Sequence, residues 1–197
     1  MYRSVEAKTH GGVAGNARLT GGIAAALLVL LAAEGATIPF IGALLGPHVF
    51  IGMLLIPPVL LKLGSTGYRF ARYYSGSPPY VRKGSPHIAL RVLAPGLVLT
   101  TLALFGTGVA LLIDGPPSDT LVFAHKLSFF AWVALATLHV LGHILELPAL
   151  ALPDWRRGGP REARLAGAGA RTMTLGIALL AGVALALLTF SAASPWF

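Results

Sequence analysis

Six histidines stand out in a chain otherwise poor in reactive side chains. His125 and His139 are 14 residues apart. At 3.6 residues per turn this is close to four turns, so a helix carrying both presents them on one face, roughly 21 Å apart along its axis. Imidazoles placed in this way can each give an axial ligand to a haem iron, one near each surface of a bilayer, if a facing helix supplies the second ligand. His48 answers that need for the outer level. It opens an earlier apolar segment, within one or two turns of the same surface as His125. Gly52, one turn further on the same face, would let a porphyrin lie close to the backbone.

The inner level leaves alternatives open. Lys62 follows His48 by the same 14 residues, so it stands at the depth of His139. A neutral lysine amine can ligate iron, and burial favours that form. His87 is the second candidate, roughly 10 Å shallower than His139 by residue count. His143, one turn after His139, matches that shallower level, so His139 with Lys62 or His87 with His143 can form the inner pair. Arg69, Arg91 and Tyr68 near the inner surface, and Lys126 beside His125, are in reach of haem propionates. Each also reads as ordinary interfacial charge or aromatic belt. A lone membrane histidine serves equally as an interhelical hydrogen-bonding residue; the joint spacing favours ligation. Phe129, Phe130 and Trp132 read as helix packing, and His10 in the polar leader has no assigned role.

The elements that position these groups are membrane helices. Of the 197 residues, 55% are hydrophobic and 11% charged, against roughly 25% charged in soluble domains. A span needs roughly 20 apolar residues. Five segments qualify, at about 19–36, 47–68, 88–113, 120–147 and 172–192. The expected fold is all-α: a single membrane domain, an integral bundle of about five transmembrane helices. The N-terminal apolar run reads as a retained helix, too long for a signal peptide. The absence of cysteine excludes disulfides, iron–sulfur ligation, c-type haem attachment and thiol chemistry.

The net charge of +8 is a topology signal and no sign of nucleic acid. Arg3, Lys8 and Arg18, then Arg69 to Arg91, then Arg156 to Arg171 fall in alternate connections. The intervening connections and the tail lack Lys and Arg. This predicts a cytoplasmic N-terminus and an outer C-terminus in a bacterial inner membrane, with anionic lipid headgroups as a second use of the charge. Asp114-Gly115-Pro116-Pro117 predicts a tight outer turn and antiparallel neighbours on either side. Ser75-Gly76-Ser77-Pro78-Pro79 and Arg157-Gly158-Gly159-Pro160 predict inner breaks. Pro57-Pro58 predicts a kink whose freed carbonyls neighbours must cover.

With its late helix running from His125-Lys126-Leu127-Ser128 to His139, and an earlier His48, the chain resembles bacterial membrane b-type cytochromes. These are the cytochrome b561 family and the cytochrome b subunits of hydrogenases and formate dehydrogenases. The resemblance covers about residues 44–147. It implies a four-helix haem-binding core there, with additional helices at about 19–36 and 172–192. It implies haem b, one or two, with two favoured by the spacing, and electron transfer across or within the membrane. The partners implied are a redox protein and a quinone pool, with oligomers allowed, and the role is a subunit rather than a stand-alone enzyme. Lys62 departs from the family pattern where a fourth histidine would stand. The alternatives from other classes are proton or solute transport, using Glu34, Glu146 and the histidines, and a cofactor-free anchor. No Ser/His/Asp set, HExxH or phosphate loop is present.

Overall fold

The computed structural model describes residues 12–84, 88–116, 119–155 and 166–196. Every regular element within them is helical. α1 spans Gly12–Thr37, a 3-10 turn covers Ile38–Phe40, and α2 spans Ile41–Tyr74. The short α3 (Pro78–Lys83) leads to α4 (Ile88–Asp114) and α5 (Asp119–His143). A second short helix, α6 (Leu147–Trp155), precedes α7 (Ala168–Thr189) and a closing 3-10 turn over Phe190–Trp196.

Four helical stretches are long and apolar enough to cross a membrane: 12–74, Ile88–Asp114, Asp119–His143 and Ala168–Trp196. The first, of 63 residues, is folded on itself. Asn16 Nδ2 donates to Ser65 Oγ at 3.2 Å and Lys62 Nζ donates to the Thr20 carbonyl at 2.9 Å, so α1 and α2 lie antiparallel. Counting that hairpin as two passes gives the five expected from the apolar segments. The protein is a multi-pass, all-α membrane protein. Its outer surface suits lipid: Leu188, Val92 and Leu180 are 80%, 74% and 71% exposed.

The hairpin turns within the connection expected between the first two apolar segments. Leu44 (φ −112°, ψ 20°) leaves the helical region three residues ahead of Pro47, whose ring crowds the carbonyl four residues back. At Pro57-Pro58, where a kink was expected, the dihedrals stay helical through both prolines. Pro58 still deprives the Leu54 carbonyl of its helical donor. That oxygen is covered as the sequence reading required. α7 approaches so closely that a Cβ on Gly182 would overlap it, leaving the glycine backbone as its neighbour.

Packing divides the bundle in two. α1, α2 and α7 share a core of Ile23, Leu27, Leu55 and Leu175. α4 and α5 form the antiparallel pair predicted from the Asp114-Gly115 turn, where Gly115 takes φ +69°. This pair meets the rest along α2 and the closing turn. Two elements were not anticipated. Pro78 and Pro79, expected only as a break, also start α3, because proline suits the first helical turn. The fourth span ends at His143 rather than Leu147, and after a turn over residues 144–146 α6 folds back across α1. Pro148 accounts for that break, since it has no N–H to bond back to the Ile144 carbonyl yet fits the first turn of the next helix. Asp154 then ties α6 to α7 and α1. It accepts from Arg171 Nε at 2.6 Å and Nη2 at 2.9 Å, and from Arg18 Nη1 at 3.4 Å.

Candidate functional site

His48 lies about two turns into α2 and His125 about two turns into α5, at the same end of the bundle. Their rings come together across the seam between the two helical groups, with centroids 6.3 Å apart and planes at 87°. Two imidazoles bound on opposite sides of one metal, at about 2 Å per metal–nitrogen bond, have ring centres about 6 Å apart. The separation therefore suits a shared metal. Both rings are half-buried.

The hydrogen bonds around each ring fix its tautomer. Thr37, buried in the last turn of α1, donates its only hydroxyl proton to the Glu34 carbonyl at 2.6 Å. The same hydroxyl oxygen lies 2.9 Å from His48 Nδ1, so it can only accept there and Nδ1 must carry the proton. Glu34 Oε1, 3.0 Å from the same Nδ1, is a second acceptor for it. His125 repeats the arrangement on the other side. Thr107 donates back to the Ala103 carbonyl at 2.7 Å, and its oxygen lies 3.0 Å from His125 Nδ1. Each imidazole is thus held as the Nδ1–H form, with the Nε2 lone pair left for a ligand. Among the described residues no side chain or backbone donor is hydrogen-bonded to either Nε2.

This donor set fits a haem iron. The porphyrin supplies four nitrogens and needs only two axial ligands from protein. A bare metal ion is a poorer fit, because the described residues contain no group of three or more His, Cys, Asp or Glu able to hold one. Gly108 lets the His125 ring lie close against α4: a Cβ there would stand 3.3 Å from His125 Cε1. Gly52, expected to make room for a porphyrin, instead faces α1, where a Cβ would meet Glu34 Oε1 at 3.5 Å.

The inner residues are arranged differently. Lys62 gives its amine to the Thr20 carbonyl inside the α1–α2 hairpin, although it stays near enough to His139 to act on it electrostatically. The His139 ring packs edge-on against His143 at 4.9 Å, with its Nδ1 buried and without a hydrogen-bond partner. His143 Nδ1 is 3.7 Å from Glu146 Oε2. His87 lies outside the described residues. Arg91 bonds to the Tyr74 hydroxyl and stands over that ring. Arg69 lies near Lys62 and Lys83. Tyr68 packs edge-on to Tyr80. Phe129 and Phe130 pack on each other, and Trp132 Nε1 donates to Thr101 Oγ1 at 3.0 Å.

Sequence reading missed Thr37 and Thr107 and considered Glu34 only as a proton carrier. A signal for Glu34 existed, since an intramembrane carboxylate needs a partner. A threonine carries no comparable signal, because most threonines in membrane helices simply bond back to their own helix, as Thr100 and Thr189 do here. Comparison with protein-family models, curated proteins and solved structures gave no match to this chain.

Proposed function

We propose that the chain is a membrane b-type cytochrome subunit in which His48 and His125 hold one haem b near the outer surface. The observation that carries this reading is the pair of facing imidazoles, 6.3 Å apart, each locked with Nδ1 protonated and Nε2 free. Haem b, when bound, would supply a one-electron carrier at its iron. The chain's own residues do the rest. Thr37 and Thr107 hold the two rings in the ligating tautomer. Glu34 Oε1 stands 3.0 Å from His48 Nδ1 as a second partner for that nitrogen. The apolar helices keep water away. A second, inner haem on His139 would require Lys62 to leave Thr20, and the His87–His143 alternative involves a residue outside those described, so the proposal covers one haem. The resemblance to the b561 and hydrogenase-type cytochromes supports electron exchange with a redox protein or a quinone. The distribution of basic residues supports an N-terminus in the cytoplasm and a C-terminus outside.

The test is a reduced-minus-oxidised spectrum and a haem assay on purified protein from a haem-replete host. One haem per chain with a low-spin signature is expected, and a colourless, well-folded preparation overturns the reading. Reporter fusions after Phe197 and within residues 156–164 should fall on opposite sides of the membrane. One observation favours a second reading. Glu34 Oε2 is buried without a hydrogen-bond partner beside His48, as in a proton path through a haem-free transporter. Haem content separates the two.

A further inference from the structure

The inner end of α2 carries a feature the haem reading does not use. After Tyr74 the chain doubles back, and α3 is pinned against the end of α2. Tyr80 is buried and meets Tyr68 edge-on at 6.1 Å. Arg72 donates to Ser77 Oγ at 2.9 Å and its guanidinium stands 5.9 Å from the Tyr80 ring centre. Ser77 is buried and caps the turn through its carbonyl, which accepts from Tyr80 N at 3.0 Å. This construction holds Lys83, one turn after Tyr80 on α3, within electrostatic range of Arg69 on α2.

Arg69 acts electrostatically on Lys83 and on Lys62, which lies two turns deeper on the same helix face. Arg69 is half-buried and has no hydrogen bond or ion pair among the described residues. Burial of its amine and the charge of Arg69 push Lys83 below the ordinary lysine value, and Glu146 opposes them. Glu146 is itself 71% exposed on its side chain. Three cations are therefore gathered against one loosely held carboxylate. Gathering like charges costs free energy unless an anion joins them. The surroundings say what kind of anion. Tyr68, Phe70 and Tyr74 are more than half exposed and form an interfacial aromatic belt at this level. Toward the bilayer middle, Ile56, Val59, Leu60 and Leu63 of α2 and Thr101, Leu102 and Phe105 of α4 line a shallow apolar groove.

We propose that Arg69 and Lys83, backed by Lys62, bind the phosphate headgroup of an anionic phospholipid whose acyl chain lies along the α2–α4 groove. The cations meet the headgroup charge, the aromatic belt sets the interface, and the groove takes the apolar tail. The proposal is independent of haem and holds equally for a haem-free chain.

The probe is phosphatidylglycerol, compared with phosphatidylcholine of the same chains, added to the full-length protein in detergent. Retained lipid is counted by native mass spectrometry. The wild type should keep phosphatidylglycerol in preference to phosphatidylcholine. Arg69→Gln and Lys83→Gln should each lower its retention about fivefold, the effect of about one interfacial cation. Lys126→Gln, which removes the same charge at the other surface, should leave retention unchanged. Arg69→Lys keeps the charge and should keep the lipid. Equal retention of the two lipids overturns the proposal. So does equal loss in Lys126→Gln, or loss in Arg69→Lys as great as in Arg69→Gln, which would assign the effect to packing. Displacement of the lipid by an equal concentration of inorganic phosphate would also overturn it, since the groove would then contribute nothing.

Discussion

The two ends of the bundle contain the same kinds of polar side chain in opposite states of engagement. At the outer end, two threonines take up the inward nitrogen of two facing imidazoles and leave the other nitrogen of each without a partner. At the inner end, polar groups mostly satisfy one another. Lys62 bonds to Thr20, Thr20 lies 2.5 Å from Ser65 Oγ, and Asp154 gathers Arg171 and Arg18. The comparison therefore separates two neighbouring rings whose Nε2 atoms make no hydrogen bond from an end held mainly by its own bonds, where His139 Nδ1 and Asn16 Oδ1 are nevertheless buried without a partner.

The sharpest way to break this comparison is to remove one ring at each end. His48→Ala or His125→Ala should each abolish the same low-spin haem signal, with haem content falling more than tenfold. Lys62→Met and His139→Ala should leave that signal and the haem count unchanged. Haem assays and difference spectra on the four variants decide it. If His139→Ala loses half the haem while His48→Ala loses the other half, the chain holds two haems and the inner end has been misread.

A smaller effect tests the tautomer lock. Thr37→Val and Thr107→Val keep the shape of the side chain and remove the oxygen that accepts from Nδ1–H. Loss of such a partner lowers metal affinity by roughly 10–100-fold. Haem should still bind, with a lower affinity measured by titration of the apoprotein. Thr20→Val, the same change at the inner end, should not alter it. Equal affinities in all three variants would mean that the threonines do not hold the rings.

The two ends also differ in how much of them could be read from the sequence. The pairing of His48 with His125 followed from depth alone, because helical rise turns residue number into distance along the membrane normal. Depth also placed Lys62 level with His139, and the structure brings them within electrostatic range. Depth says nothing about which neighbour a side chain turns to, and there the reading ran out. Lys62 turns to α1 because the α1–α2 hairpin is tight, and Gly52 faces Glu34 for the same reason. The turn at Leu44 lies in the connection the sequence placed between the first two spans, but which residues face each other across it was not legible. Proline advertises a missing donor, but not that Gly182 on a distant helix lies against the freed Leu54 carbonyl. α6 was hidden for a related reason, since its apolar residues continue those of α5 and only Pro148 marks the break.

The smallest expected effect concerns the inner end alone and asks whether its polar bonds are structural. Asp154 is buried with Arg171, which is itself 8% exposed and also donates to the Ala166 carbonyl at 2.8 Å. Burial raises the Asp154 carboxyl, and the hydrogen bonds and charges of Arg171 and Arg18 outweigh that and hold it below its ordinary value of 3.8. A depressed carboxyl stabilises the fold fully above the unfolded value, and the contribution is lost as pH falls through the lower folded value. Asp154→Asn keeps one acceptor oxygen and removes the charge, which should cost about 1–3 kcal/mol at neutral pH. The variant should melt a few degrees lower at neutral pH, and the gap to wild type should close as the pH falls below about 3.8, measured by circular dichroism in detergent. Haem content should not change. A gap that stays constant down to acid pH would assign the effect to packing rather than charge. Loss of haem in this variant would show that the inner end supports the outer site after all, and that the two ends cannot be treated separately.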